Sequence, residues 1–112
     1  MRDFVYVKDC VELIFWLLIN PMVNGILNVG TGKARTWNDL ILAVFSAMNR
    51  ESRINYVDMP ENLKGKYQYF TQADMAWLGK MQCPVSFASL EKGVTDYIRS
   101  YLLRDDPYLE MC

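Results

Sequence analysis

The residues that could do chemistry are concentrated in one glycine-rich turn, Gly30-Thr31-Gly32-Lys33-Ala34-Arg35. The turn follows an apolar stretch and precedes a helical pattern, as in dinucleotide-binding units, where glycines admit a pyrophosphate at a helix N-terminus. Asp58, near the end of the next apolar stretch, could act as the ribose-binding acid. Arg35, however, occupies the third glycine position, and the helical pattern starts only at Thr36. We therefore favour a glycine turn that permits a positive φ, and keep an autonomous nucleotide-binding module as an alternative.

Other catalytic and metal-binding constellations are excluded by composition. The chain has no histidine, so it lacks the commonest general base, and Ser86 and Ser89 have no imidazole to activate them. Cys10, Cys83 and Cys112 are too few and too scattered for a structural zinc site. An odd cysteine count without paired spacing indicates a reducing compartment, and we expect inert, buried thiols at the first two. We predict no catalytic, cofactor-binding or metal-binding residue.

Charge and hydropathy limit the kinds of partner that this chain is expected to bind. Twelve basic and thirteen acidic residues give a net charge of −1, without the basic excess of a nucleic-acid-binding protein. The longest apolar run, residues 13–19, is far shorter than the roughly 20 residues of a membrane span. No signal peptide is recognisable, so we expect a cytoplasmic protein with no nucleic-acid or membrane partner. A hydrophobic content of 52% supplies a core and also leaves apolar surface. A self-associating interaction module therefore remains an alternative function.

Alternating apolar stretches and helical stripes predict an α/β domain over residues 1–104, followed by a frayed tail at 105–112. Strands are expected at residues 4–7, 26–29 and 54–59, and helices at 10–20, 37–49, 71–78 and from Ser89 onward. Thr36 with Asp39, and Asp9 with Glu12, have the spacing of helix-capping residues. Thr71 is expected to cap the third helix and Gly79 to end it.

The first predicted helix is apolar nearly all round. A helix without a polar face is buried on several sides. It is therefore either the central helix of this domain or a helix that packs against a further domain, and we favour the second interpretation.

Several sequence blocks resemble a known enzyme family. The opening Arg2-Asp3-Phe4-Val5-Tyr6-Val7 and the glycine turn resemble the extended short-chain dehydrogenases/reductases, which include nucleotide-sugar epimerases and dehydratases. The run from Lys64 to Asp74, KGKYQYFTQAD, and the later EKGVTDY at 91–97 resemble more specifically the ADP-glyceromanno-heptose 6-epimerase family. The resemblance covers residues 2–102.

This resemblance implies that the chain is the C-terminal substrate-binding portion of such an enzyme and lacks most of the N-terminal Rossmann domain. An intact member uses NADP to interconvert ADP-D-glycero- and ADP-L-glycero-D-manno-heptose for the lipopolysaccharide inner core, and is often oligomeric. The family's catalytic tyrosine is followed by a lysine four positions later. No tyrosine of this chain has a lysine four positions after it. We therefore expect the chain alone to be inactive and to bind no NADP.

The resemblance also assigns substrate contacts. Arg2 matches the arginine that binds the ADP-sugar, and a guanidinium fork suits a pair of diphosphate oxygens. Tyr67 matches the substrate-binding tyrosine, whose hydroxyl can donate to a phosphate or sugar oxygen. Lys66 stands where members carry arginine and would keep the charge without the bidentate geometry.

Overall fold

The computed structural model describes residues 1–108, which form helices joined by long irregular segments. The α-helices of this part are α1 (Val7–Ile19), α2 (Trp37–Ala47), α3 (Ala76–Lys80) and α4 (Leu90–Tyr97). α4 continues as a π-helical segment, Ile98–Leu102, and a 3₁₀ turn covers Glu61–Leu63. None of the described helices is long and apolar enough to span a membrane.

The packed centre lies between α2 and α4, with a contribution from α1. Small side chains on α2 let the two helices approach, and Arg99 donates through Nε to the Ala47 carbonyl (2.9 Å) at the end of α2. The buried apolar side chains of the described chain are Leu13, Ala43, Ala47, Leu78, Leu90 and Ile98.

The predicted starts of α2 and α4 are confirmed. Thr36 Oγ1 accepts from the Asp39 N–H (3.0 Å), and the Asp39 carboxylate accepts from the Thr36 N–H (2.9 Å), which is a complete capping box. Ser89 Oγ accepts from the Lys92 N–H (3.2 Å). α2 ends two residues earlier than predicted, at Ala47.

The predicted starts of α1 and α3 are wrong. α1 begins at Val7, so Asp9 lies inside the first turn, where its carboxylate accepts from the Ala88 N–H (2.8 Å) instead of capping the helix. α3 begins at Ala76, because Asp74 Oδ1 accepts from the Ala76 N–H (2.9 Å). Side-chain acceptors near a helix start can serve a tertiary contact, and spacing alone does not reveal this.

The three predicted strands are absent from residues 1–108, and an α/β fold is not confirmed. A strand needs neighbours for its N–H and C=O groups. The ladder contact found in the described chain is a single antiparallel bridge between Arg2 and Arg35. Ile26 and Val57, in two of the predicted strands, are 99% and 89% exposed. Both segments have strand-like composition without a pairing partner in this part of the chain.

α1 presents an apolar face to solvent. Only Asp9 and Leu13 of this helix are buried. The large apolar side chains exposed on it are Val7, Val11, Ile14, Phe15, Leu18 and Ile19. The interpretation of α1 as an enclosed central helix is therefore wrong, and the interpretation that it packs against a further domain stays a prediction.

Cys10 and Cys83 are half-buried free thiols rather than fully buried ones. Burial raises the pKa of the Cys10 thiol, and the neighbouring Asp9 charge raises it further. This disfavours the reactive thiolate, in keeping with an inert cysteine. The predicted tail is exposed at 105–108. Its remainder, with Cys112, lies outside the described residues.

Candidate substrate-binding site

The glycine turn encloses a carboxylate of the chain itself. Asp3 accepts from the Thr31 N–H (2.8 Å) and hydroxyl (2.5 Å), the Gly32 N–H (2.9 Å) and the Ala73 N–H (3.1 Å). Burial raises the pKa of Asp3, but the hydrogen bonds from Thr31, Ala73 and Gly32 outweigh burial and hold the pKa below its ordinary value. Ionised Asp3 is thus the anion that this turn binds.

The glycines of the turn serve this arrangement. A Cβ at Gly30 would lie 2.6 Å from both the Ala73 Cβ and the Asp3 Oδ2. Gly32 has a φ of +71°, as expected for a glycine turn. The Thr31 and Gly32 N–H groups point at Asp3, so in this arrangement the turn does not offer them to a pyrophosphate.

The Asp3 contacts fix the position of Arg2. Arg2 and Arg35 exchange both backbone hydrogen bonds at 2.7 Å. The Arg2 side chain extends towards residues 67–71, where Nη1 contacts Gln68 Oε1 (3.3 Å) and Thr71 Oγ1 (3.5 Å). Its Cζ lies 5.2 Å from the centroid of the Tyr67 ring, which is a cation–π contact. The structure therefore brings two of the predicted substrate-binding residues together.

Tyr67 is held from a second side by a residue that the sequence did not indicate. The Trp37 indole Nε1–H donates to the Tyr67 hydroxyl oxygen (2.8 Å). Tyr69 packs edge-on against the Tyr67 ring at 5.4 Å. Trp37 was predicted only as part of the apolar stripe of α2. One feature of the sequence could have indicated this contact. Trp37 is the first helical residue, beside the cap, where a side chain faces outward.

Lys66 is not part of this cluster. Its side chain is exposed and makes no hydrogen bond or ion pair within residues 1–108, and its backbone N–H donates to the Leu63 carbonyl (3.2 Å). Its predicted role in substrate binding stays a prediction.

We call Arg2, Trp37, Tyr67, Gln68 and Thr71 the Arg2–Tyr67 patch.

The Arg2–Tyr67 patch can bind an anionic oxygen. Arg2 uses only Nη1 in the side-chain hydrogen bonds of the described chain, so other guanidinium donors can reach a ligand. The Tyr67 hydroxyl receives a hydrogen bond and retains its own proton for donation. A planar cation beside a phenolic donor suits phosphate or diphosphate. The patch is partly exposed, and its residues do not line the apolar cavity beside α4.

That cavity lies elsewhere and has different chemistry. It has a volume of about 380 Å³ between the start of α1, α2 and α4, and most of its surface is apolar. Its lining includes Val5, Leu40, Leu90 and Val94. None of the residues that line this cavity is a cation that could bind a diphosphate.

A second polar cluster joins α1 to α4. The Asp96 carboxylate accepts from the Tyr6 hydroxyl (2.5 Å), the Lys8 ammonium (2.7 Å) and the Ser100 hydroxyl (2.8 Å). The bonds from Lys8 and Tyr6 lower the pKa of Asp96 to about 2. Burial and the bond to Asp96 raise the pKa of Tyr6 to about 12. A catalytic tyrosine needs its pKa lowered towards neutrality, and that of Tyr6 is raised. The bonds of Tyr6 and Lys8 to Asp96 join the start of α1 to α4.

Comparison with known proteins places the chain in a family of epimerases. No protein-family model matches it. It is 65% identical over 109 residues to an ADP-L-glycero-D-manno-heptose-6-epimerase of Nitratidesulfovibrio vulgaris, covering 97% of this chain and 34% of the relative. It is 42% identical over 115 residues to an enzyme of the same name from Fusobacterium nucleatum, covering 97% and 35%. A third such relative, from Alkalilimnicola ehrlichii, is 47% identical over 97 residues.

The aligned region is the C-terminal part of these relatives. The chain belongs to the ADP-L-glycero-D-manno-heptose-6-epimerase family. Within that family it is a C-terminal fragment of the enzyme. It spans about a third of the length of the curated relatives that it matches. The resemblance drawn from the sequence is thereby confirmed.

Proposed function

We propose that this chain supplies the ADP-sugar contacts of an NADP-dependent epimerase that interconverts ADP-D-glycero- and ADP-L-glycero-D-manno-heptose for lipopolysaccharide synthesis. The observation that carries this proposal is the pairing of Arg2 with Tyr67. The Arg2 guanidinium binds diphosphate oxygens, and the Tyr67 hydroxyl donates to a phosphate or sugar oxygen. Lys66, next to Tyr67 in sequence, adds positive charge at the rim.

The chain alone is inactive in this proposal. Tyr6 and Lys8 both bind the Asp96 carboxylate, and no tyrosine of the chain has the lysine four positions later that the family's catalytic pair requires. The glycine turn is occupied by Asp3, so NADP is held by the rest of the enzyme. The apolar face of α1 and the unpaired segments around Ile26 and Val57 provide surfaces for that part, the Rossmann domain of an extended short-chain dehydrogenase/reductase.

A titration tests the binding role. ADP-mannose, a stand-in for ADP-heptose, and NADP are titrated separately into the purified chain by calorimetry. We expect weak ADP-mannose binding that Tyr67→Phe abolishes or weakens about tenfold, since a hydrogen bond to a charged group contributes about 1.5 kcal/mol or more. NADP is expected to give no signal. Tyr108→Phe, in the exposed tail, is the matched control. Micromolar NADP binding would instead support the autonomous nucleotide-binding module.

A fusion tests the catalytic role. The part of the Nitratidesulfovibrio vulgaris relative that precedes the aligned region is joined to this chain. The fusion is expected to epimerise ADP-heptose, and Arg2→Gln is expected to raise KM far more than it lowers kcat. The full-length relative is the positive control. A folded fusion that binds NADP but not ADP-heptose would refute the proposed function.

The exposed face of α1 favours a second candidate, self-association. Six large apolar side chains on one helix exceed the scattered apolar exposure normal for a monomer. An association module would form a stable oligomer that Phe15→Glu dissociates, with no response to ADP-mannose. Sedimentation velocity with and without the ligand separates this candidate from the first. Oligomers that also bind ADP-mannose fit an epimerase subunit in a homo-oligomer.

A further inference from the structure

Trp37 occupies a defined place between the helix cap and the Arg2–Tyr67 patch. The capping box formed by Thr36 and Asp39 fixes the start of α2, and Trp37 is its first residue. Phe4 packs against the indole in an edge-to-face arrangement at 5.1 Å. The indole plane is therefore set by contacts that do not involve Tyr67.

The hydrogen bond from Trp37 constrains the Tyr67 hydroxyl. An indole N–H can only donate, whereas a phenol donates once and accepts through its oxygen. The bond of 2.8 Å therefore uses an acceptor site of Tyr67 and leaves its proton for another partner. Donation to the phenol oxygen also polarises its O–H bond, which strengthens the onward hydrogen bond.

The two flanking contacts act on different parts of Tyr67. Arg2 lies over the ring face, and Trp37 binds the hydroxyl. Together they fix both the ring position and the direction of the O–H. Trp37 is 48% exposed, so it lies at the surface beside Tyr67.

We propose that Trp37 is a positioning residue, which orients the Tyr67 hydroxyl as the donor to a diphosphate oxygen of the ADP-sugar. This inference rests on the proposed function. It adds a residue that acts through Tyr67 and does not itself touch the substrate.

Kinetics of the fusion test the inference. Trp37→Phe keeps the aromatic contact with Phe4 and removes the N–H. We expect it to raise KM for ADP-heptose about three- to tenfold, the range for one hydrogen bond, with kcat unchanged because the contact is remote from the reacting carbon. In a Tyr67→Phe background the same change should have no further effect. Trp77→Phe, at a similarly exposed tryptophan of α3, is the matched control and should leave KM unchanged.

The outcomes separate the two proposals. A fusion that turns over normally after Trp37→Phe, or that shows fully additive effects in the double variant, would overturn the positioning role and leave the proposed function intact. A wild-type fusion that binds NADP but does not bind ADP-heptose would overturn the proposed function and this inference with it.

A ligand-free measurement on the chain itself supports the kinetics. In ¹H–¹⁵N spectra, Tyr67→Phe should shift the indole resonance of Trp37 and leave those of Trp16 and Trp77 in place. An unmoved Trp37 resonance would contradict the hydrogen bond and thereby the inference, whether or not the fusion is active.

Discussion

The α2–α4 pair and α1 differ in how they are packed within the described chain. α2 and α4 pack against each other, and both begin with a side-chain cap. α1 lacks a side-chain cap bond and buries only Asp9 and Leu13. The difference teaches that local signals agree with the structure where both packing partners lie within the described chain.

The length of the relatives is a reason to expect that a further domain covers the apolar surface of α1. The relatives are about three times as long as this chain, and the chain aligns to their C-terminal part. A helix that is apolar all round needs more surroundings than α2 and α4 provide. The contrast between the two regions can be measured as a difference in sensitivity to mutation.

The largest expected contrast comes from two matched isoleucines. Ile98, 5% exposed, follows α4, and Ile14, 56% exposed, lies on α1. Ile98→Ala should lower the free energy of unfolding by about 2–4 kcal/mol because it leaves a cavity. Ile14→Ala should change it by less than about 0.5 kcal/mol, since no packing is lost.

Urea denaturation of the chain measures both changes. In the fusion with the relative's N-terminal part, Ile14→Ala should become destabilising, because the face of α1 would then be covered. Equal effects of the two variants in the isolated chain would contradict the distinction between the regions.

The second contrast concerns Asp3, whose carboxylate joins the glycine turn to the Ala73 segment. Asp3→Asn should destabilise the chain by about 2 kcal/mol, because an amide NH₂ would face N–H donors that have lost their charged acceptor. Asp58→Asn, at an exposed position, is the control and should have no measurable effect. Thermal unfolding monitored by circular dichroism provides the measurement. If both variants melt like the parent chain, Asp3 does not organise the turn.

These contrasts show which features of the structure could be predicted from the sequence. The cap at Thr36, the cap at Ser89 and the glycine turn depend on residues within a few positions, so spacing sufficed. The assignment of Arg2 and Tyr67 to substrate binding came from family resemblance, and their contact was not predicted, because residues so distant in sequence carry no local signal of proximity. Trp37 was missed, since a tryptophan in an apolar stripe predicts burial and not a hydrogen bond outward.

The predicted strands failed for a different physical reason. Apolar alternation in residues 26–29 and 54–59 predicts a strand only when partners are available to pair with it. The described chain provides none there, and the segments stay irregular. Composition indicates that a segment can form a strand in a complete sheet. Whether the strand forms depends on the presence of a pairing partner.

A smaller effect is expected at the capping box of α2. Thr36→Ala should cost about 1 kcal/mol, the usual loss for a threonine N-cap, whereas Thr36→Ser should cost little because it keeps the hydroxyl. The cap also fixes Trp37, so the alanine variant should broaden the Trp37 indole resonance. Urea denaturation and ¹H–¹⁵N spectra test the two statements separately. A stable alanine variant with a sharp, unshifted resonance would show that packing with α4 alone sets the start of α2.

The smallest expected effect is the acid sensitivity of the cluster that joins α1 to α4. The pKa of Asp96 falls from 3.8 to about 2 on folding, chiefly through the bond from Lys8. The unfolded chain therefore binds the proton more tightly, and the stabilisation by Asp96 is complete above about pH 4 and lost as the pH falls towards 2. Because Asp96 and Lys8 are both more than a third exposed, solvent screening keeps this contribution small.

Tyr6 gives the same cluster an opposite dependence at high pH. Its pKa rises to about 12 on folding, so the stabilisation that it contributes is present below about pH 10 and lost as the pH climbs towards 12. Asp96→Asn should flatten the acid arm of a plot of unfolding free energy against pH, and Tyr6→Phe the alkaline arm. Neither variant should change the midrange slope. An acid arm that is unchanged in Asp96→Asn would assign the acid sensitivity to the other carboxylates whose pKa is lowered on folding, which are Asp3, Asp39 and Glu91.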